Sequence, residues 1–170
     1  MEDNIEFIKI YFTEEKIESL FFIFLGLIAV SLAFIFWFLI KYSFYNGLAY
    51  PLLIIGIIQL TVGTSVFFRT ESDIKRVEDM IQNERELIEQ KELPRMEIVM
   101  KNFLIYKWIE ISLVVLSLFL LIYFRSSNQV FWKGIGFGLL IQATIMLSLD
   151  IIAEKRGQAY INELKIRSVL

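Results

Sequence analysis

The chain has 170 residues, of which 56% are hydrophobic and 21% are charged, and its formal net charge is −2. Soluble domains are about 45–50% apolar, so this composition excludes an ordinary soluble enzyme, and its hydrophobicity excludes an intrinsically disordered chain. The absence of cysteine and histidine also removes disulfides, thiolate nucleophiles and the commonest general base. We therefore predict no catalytic, cofactor or metal site.

The N-terminal segment, residues 1–16, mixes acidic and apolar side chains ahead of the first long apolar stretch. The apolar side chains among its acids are Ile5, Phe7, Ile8, Tyr11 and Phe12. This pattern fits either a short helix lying at a membrane interface or a simple flanking segment. Thr13, followed by two glutamates, predicts a helix start at that point.

Four apolar stretches are each long enough to cross a bilayer, whose hydrocarbon core of about 30 Å needs roughly 20 helical residues. They cover residues 17–40, 47–68, 103–124 and 131–153. The predicted fold is therefore all-α, a four-helix transmembrane bundle built from two helical hairpins, 17–68 and 103–153.

The segment between the hairpins, residues 69–102, is the largest polar stretch. Its apolar residues recur at helical spacing, which predicts an amphipathic helix from Ser72 to Gln90 that continues the second span and is broken by Pro94. The apolar stripe of this helix would dock on its own bundle, on a neighbouring subunit or on a partner protein. The C-terminal residues 154–170 predict a further helix that extends the fourth span.

The distribution of lysine and arginine predicts the orientation. Fourteen of the 17 basic residues belong to the N-terminal segment, the middle loop, the C-terminal segment and the adjoining span ends, whereas the two short hairpin loops hold only Lys41, Arg125 and Lys133. Because basic residues accumulate on the cytoplasmic side, we expect both termini and the middle loop to be cytoplasmic. The expected location is a bacterial inner (plasma) membrane, crossed four times.

The two hairpins have similar joints. Residues 44–54 read FYNGLAYPLLI and residues 131–141 read FWKGIGFGLLI, with five identities in eleven positions. This similarity predicts a parallel duplication of one helical hairpin, with the two copies packed about a pseudo-twofold axis along the membrane normal.

Two glutamines lie near the middle of their spans. Gln59 and Gln142 occupy the second helix of each hairpin, and an amide in hydrocarbon needs a hydrogen-bond partner. They are predicted either to form an interhelical hydrogen bond or to line a polar pathway.

Three acids, Glu18, Glu110 and Asp150, lie within about two turns of the cytoplasmic ends of their spans. Lys107 precedes Glu110 by one helical turn and is the local candidate to pair with it; a partner from span one, two or four is the alternative. The set is interpreted either as a salt-bridged inner rim or as a vestibule that accepts cations or protons.

Small residues mark the predicted helix contacts. Gly56 and Gly63 repeat at an interval of seven in the second span, and Gly134 and Gly138 form a G-x-x-x-G in the fourth. Such residues let helices approach closely, either inside the bundle or between copies of the chain.

A resemblance to known proteins covers residues 40 to 160. The segments that carry it are 92–97 (ELPRME), 100–106 (MKNFLIY), 108–110 (WIE), 131–134 (FWKG), Gln142 and 150–155 (DIIAEK). They resemble a family of small bacterial four-span integral membrane proteins without an established activity. The resemblance implies the four-span topology and no site.

The sequence lacks nucleotide-binding, zinc-protease and Ser/His/Asp motifs and the basic, aromatic clusters of nucleic-acid binders. We therefore expect a non-catalytic membrane module for interaction or assembly, which self-associates in the lipid bilayer and binds a cytoplasmic protein but no nucleic acid. The alternative is a small oligomeric channel or ion-coupled transporter that uses Gln59, Gln142, Glu110 and Asp150.

Overall fold

The computed structural model describes residues 3–84 and 86–169, and within them every regular element is helical. The elements are α1 (Asp3–Ile35) with a π-helical turn (Phe36–Ile40), α2 (Ser43–Asn83), a second π-helical turn (Ile88–Glu92), α3 (Leu93–Tyr123) and α4 (Val130–Val169). All four long helices are apolar enough to cross a membrane by length and composition. The all-α prediction with four long apolar helices is confirmed.

The turn between α1 and α2 is made by Lys41 and Tyr42. Lys41 adopts a left-handed conformation with φ of 52°, and its backbone N–H donates to the Phe36 carbonyl at 3.0 Å. Tyr42 then becomes extended before α2 begins at Ser43. A left-handed residue satisfies the last carbonyls of a helix and stops it, so the chain reverses within two residues.

The amphipathic helix predicted from Ser72 to Gln90 ends earlier than expected. α2 stops at Asn83, because Glu84 leaves the helical region with φ of −145° and ψ of 69°. Ile88 lies beyond the break and is still buried in the same core as the end of α2, so the apolar spacing continues across a chain reversal. Pro94 lies in the first turn of α3, where a helix needs no N–H donor, and it breaks no helix.

The helices are arranged in the order α1, α2, α4, α3. α2 and α4 form the central pair, α1 packs along α2, and α3 packs along α4. α1 also has a smaller contact with α4, and it meets α3 through side chains at one end of the bundle, where the Tyr11 hydroxyl lies 3.9 Å from Met96 Sδ. The two lateral helices are therefore each covered mainly on one side.

One end of the bundle, which we call the polar end, contains residues 3–16, 69–84, 86–102 and 154–169. Its buried core contains Ile8, Tyr11 and Phe12 of α1, Val77, Met80 and Ile81 of α2, Ile88, Met96 of α3, and Tyr160, Ile161 and Leu164 of α4. The apolar stripe of the middle segment thus docks on its own chain. Residues 3–16 belong to the continuous α1, and Ile8, Tyr11 and Phe12 enter this core while Phe7 packs against it.

Ion pairs join α1 to α2 at the polar end. Lys16 Nζ lies 2.9 Å from Glu71 Oε1, and Arg69 Nη2 lies 3.0 Å from Glu15 Oε1. Exposed pairs of this kind contribute up to about 1 kcal/mol each, so the buried apolar core supplies most of the stabilisation there.

Candidate functional site

The two mid-span glutamines meet between α2 and α4. Gln59 and Gln142 are 0% and 4% exposed, and Gln59 Nε2 donates a hydrogen bond of 3.1 Å to Gln142 Oε1. Gln59 Oε1 is buried and makes no hydrogen bond to any described residue. The two amides therefore form an interhelical contact and satisfy one donor and one acceptor between them.

Glu110 and Asp150 meet between α3 and α4. Both are buried, and their carboxyl groups lie close enough to interact directly. Neither Glu110 oxygen makes an ordinary hydrogen bond to a described residue. The helix packing thus brings together two acids from distant parts of the sequence.

Of the two alternatives for Glu110, the local one is not realised, because Lys107 does not pair with it. Lys107 forms an ion pair with Glu154 on α4, one helical turn from the acid pair towards the polar end. Lys107 and Glu110 are neighbours along α3, but the α3/α4 contact offers Lys107 a carboxylate that is about one-quarter exposed. An ion pair that remains partly hydrated avoids the desolvation that Lys107 would undergo beside buried Glu110.

The third acid of the inner rim, Glu18, pairs with Arg156. Both side chains are largely buried, and the Arg156 guanidinium also lies 5.8 Å from the centroid of the Tyr11 ring. Glu18 is near enough to Asp150 for their charges to interact. The rim is therefore partly salt-bridged. The two nearby basic side chains, Lys107 and Arg156, pair with Glu154 and Glu18, and neither pairs with Glu110 or Asp150.

Sequence reasoning missed a buried charge cluster around Glu92, whose side chain is fully buried. Arg95 donates from Nε to Glu92 Oε2 at 2.9 Å and from Nη2 to Oε1 at 2.6 Å. Arg76 Nη2 lies 3.3 Å from Oε2, and the Tyr160 hydroxyl donates to Oε1 at 3.2 Å. The spacing of Glu92 and Arg95 signals a local pair, but only tertiary packing adds α2 and α4.

The cluster raises the pKa values of Tyr160 and Arg95. Burial raises the pKa of the Tyr160 hydroxyl, and the charge of Glu92 raises it further. Burial acts against the charge of Arg95, but its hydrogen bond to Glu92 and the charge of Glu92 outweigh this and raise its pKa. Tyr160 is therefore a neutral donor and Arg95 a permanent cation, so the cluster is a fixed structural joint of α2, α3 and α4.

Two glycines at the far end, opposite the polar end, allow α2 and α4 to touch backbone to backbone. A Cβ on Gly47 would lie 2.0 Å from the Phe131 carbonyl oxygen, and a Cβ on Gly134 would lie 2.0 Å from the Phe44 carbonyl oxygen. The two contacts are reciprocal, because each glycine faces the residue three positions before the other. Only glycine fits at either position.

The other predicted packing glycines also face inwards. Gly56 lies against α1 at Ala29, Gly63 lies against Ser19 and Ile23 of α1, and Gly138 lies against Pro51 of α2. Gly56, Gly63, Gly134 and Gly138 therefore all serve contacts within one chain.

Within residues 3–84 and 86–169, no group of three or more acids is placed to hold a metal ion. No family model, characterised protein or solved structure matches the chain. The resemblance to small bacterial membrane proteins therefore stays a prediction.

Proposed function

We propose that the chain is an integral protein of a bacterial inner membrane that crosses it four times, with both ends in the cytoplasm. The four apolar helices support the crossings. The charge distribution supports the orientation, since fourteen of the 17 basic residues belong to the N-terminal, middle and C-terminal segments and the adjoining span ends. On this proposal, the polar end is cytoplasmic.

We also propose that the two hairpins are a parallel repeat. The reciprocal contacts of Gly47 with Phe131 and of Gly134 with Phe44 support it, because these residues occupy equivalent positions in the two similar joints. Gly138 and Pro51, also equivalent, touch each other as well. Contacts between equivalent residues are expected close to a pseudo-twofold axis.

The proposed role of this protein is non-catalytic interaction or assembly, including self-association through the lateral helix α3. The observation that carries this role is the poor coverage of α3: only 11% of its most apolar stretch is buried, compared with 33% for α2. Its open sides carry large apolar side chains, at Leu104, Ile105, Trp108, Ile109, Val115, Leu116, Leu118, Phe119 and Ile122. Lateral packing of a second copy would cover this surface in place of lipid.

A cytoplasmic protein partner would bind the outer surface of the polar end. The apolar stripes there are already buried within the chain, so the surface that remains for a partner is largely charged. Such a partner would be held by polar contacts and would dissociate as the salt concentration rises.

Co-purification of two differently tagged copies from native membranes tests self-association. The variant Val115→Trp changes the open side of α3, and Ile58→Trp makes the same kind of change on an exposed position of α2. We expect the two tagged copies to co-purify. Val115→Trp should reduce the amount that co-purifies more than Ile58→Trp does. Copies that never co-purify, with no other protein enriched, would reject the proposed role.

The alternative role is a small channel or ion-coupled transporter. The adjacency of Glu110 and Asp150 favours it, because intramembrane acids mark ion and proton pathways. The Gln59–Gln142 pair lies in the α2/α4 contact, a different interface, so the four polar residues form two separate sites. Cation flux into proteoliposomes, abolished by Glu110→Gln in a protein that still folds, would establish transport in place of assembly.

A further inference from the structure

We infer that Glu110 and Asp150 together form a proton-binding site, in which one proton is shared between the two carboxyl groups. The inference goes beyond the proposed assembly role and does not depend on it. It rests on the burial of the two acids and on the charges that surround them.

Both acids of the proposed site are buried. Glu110 is 3% exposed and Asp150 9% exposed, and both Glu110 oxygens are buried without a hydrogen bond to any described residue. Two adjacent carboxylates in such a place would repel each other and would have lost their hydration. A proton between them supplies the missing hydrogen-bond donor and removes one of the two charges.

The basic side chains around the acid pair form ion pairs with other acids. The basic groups near the pair are Lys107 on α3, which pairs with Glu154, and Arg156 on α4, which pairs with Glu18. α1 brings Glu18 near Asp150, and Lys16, the basic residue of α1 nearest to Glu18 in sequence, pairs with Glu71. α2 has no charged residue from Ser43 to Phe68. Among the described residues, no basic side chain forms an ion pair with either Glu110 or Asp150.

The Lys107–Glu154 ion pair lies next to the acid pair. It lies in the same α3/α4 interface, one turn nearer the polar end, because Lys107 precedes Glu110 by three residues and Glu154 follows Asp150 by four. It covers the acid pair from the cytoplasmic side of the proposed topology. A proton would enter or leave the site past this ion pair.

The composition of the chain makes this proton measurable. With no histidine and no cysteine, ordinary side chains neither bind nor release protons between about pH 5.5 and 7. A proton held by the folded protein and released on unfolding makes the unfolding equilibrium constant rise about tenfold per pH unit over this range.

The experiment measures unfolding of the full chain in mixed micelles at several pH values between about 5.5 and 7, beside its infrared spectrum. We expect the pH dependence, and the carbonyl band of a protonated carboxyl group, in the wild type. Both should be lost in Glu110→Gln and Asp150→Asn, because an amide donates an N–H in place of the shared proton. Glu97→Gln, on an exposed part of α3, should retain both.

Each other outcome overturns the inference. Unfolding of the wild type that does not depend on pH, without the band, would mean that no proton is bound. A slope and band that persist in both amide variants would place the proton elsewhere, and their loss in only one variant would assign the proton to a single acid. If Glu110→Gln does not fold, Asp150→Asn alone tests the shared proton. A failure to observe ion flux would reject the transport function but would not contradict the proton-binding site.

Discussion

The amide of Gln59 donates a hydrogen bond of 3.1 Å to the amide oxygen of Gln142, across the contact of the two central helices. By a rise of about 1.5 Å per residue, the two side chains lie roughly 13 and 16 Å from the predicted cytoplasmic ends of their spans. The bond thus lies deep in the apolar half of the bundle, and both amides are buried away from solvent.

Removal of one of these amides should destabilise the fold. Gln59→Leu leaves Gln142 buried without its donor, so we expect a loss of about 1–3 kcal/mol in the free energy of unfolding. The double variant with Gln142→Leu should lose less than the sum of the single variants. Thr61→Val, on an exposed side of α2, is the control for unfolding in mixed micelles, and silent single variants would contradict the prediction.

Substitution of the far-end glycines should disrupt the central helix pair. Gly47→Ala and Gly134→Ala each place a methyl group 2.0 Å from a backbone carbonyl oxygen, and we expect each to cost about 1–3 kcal/mol or more. Gly157→Ala is the matched control, because its nearest neighbour is the flexible end of Met100 at 3.1 Å. Melting temperatures in detergent measure the effect. Equal melting temperatures for all three variants would rule out the close backbone contact of α2 with α4.

The Glu92 cluster should respond more strongly to loss of its acid than to loss of its hydroxyl group. Glu92→Gln weakens the contacts of Arg95, Arg76 and the Tyr160 hydroxyl at once, although Arg76 keeps Asp73 at 2.9 Å. Because both guanidinium groups are partly exposed, we expect a cost at or just below about 3–5 kcal/mol, the cost of breaking a fully buried ion pair. Tyr160→Phe removes a single hydrogen bond to a charged group and should cost about 1.5–3 kcal/mol.

Chemical denaturation of these two variants, beside Glu89→Gln on the exposed surface, measures the difference. The control should match the wild type. If Glu92→Gln also matched it, the cluster would contribute nothing to stability.

The proposed topology predicts which residues a membrane-impermeant thiol reagent can reach in intact cells. The chain has no native cysteine, so single cysteines give no background. Asn128→Cys, in the second hairpin turn, should be labelled from outside, whereas Glu89→Cys should be labelled only after the membrane is opened. Tags at both ends should report from the cytoplasm, and a C-terminus accessible from outside would reverse the orientation.

The sequence by itself determined the fold class and the number of long apolar helices, because each depends on a local property, the length of an apolar stretch. It also indicated which residues deserved attention, since Gln59, Gln142, Glu110 and Asp150 are polar residues inside apolar stretches. The sequence did not predict that α2 ends at Asn83, because the apolar spacing continues through the turn to Ile88.

Tertiary structure alone decided which polar residues meet. A helix that is apolar on every side carries little information about which side faces its neighbours, and each residue of axial shift turns a side chain by about 100°. The partner of Lys107 therefore could not be read from the spacing to Glu110, and Arg76 and Tyr160 could not be assigned to Glu92. These pairings follow from the mutual rotation and height of α2, α3 and α4, and the backbone contacts of Gly47 and Gly134 help to fix those of α2 and α4.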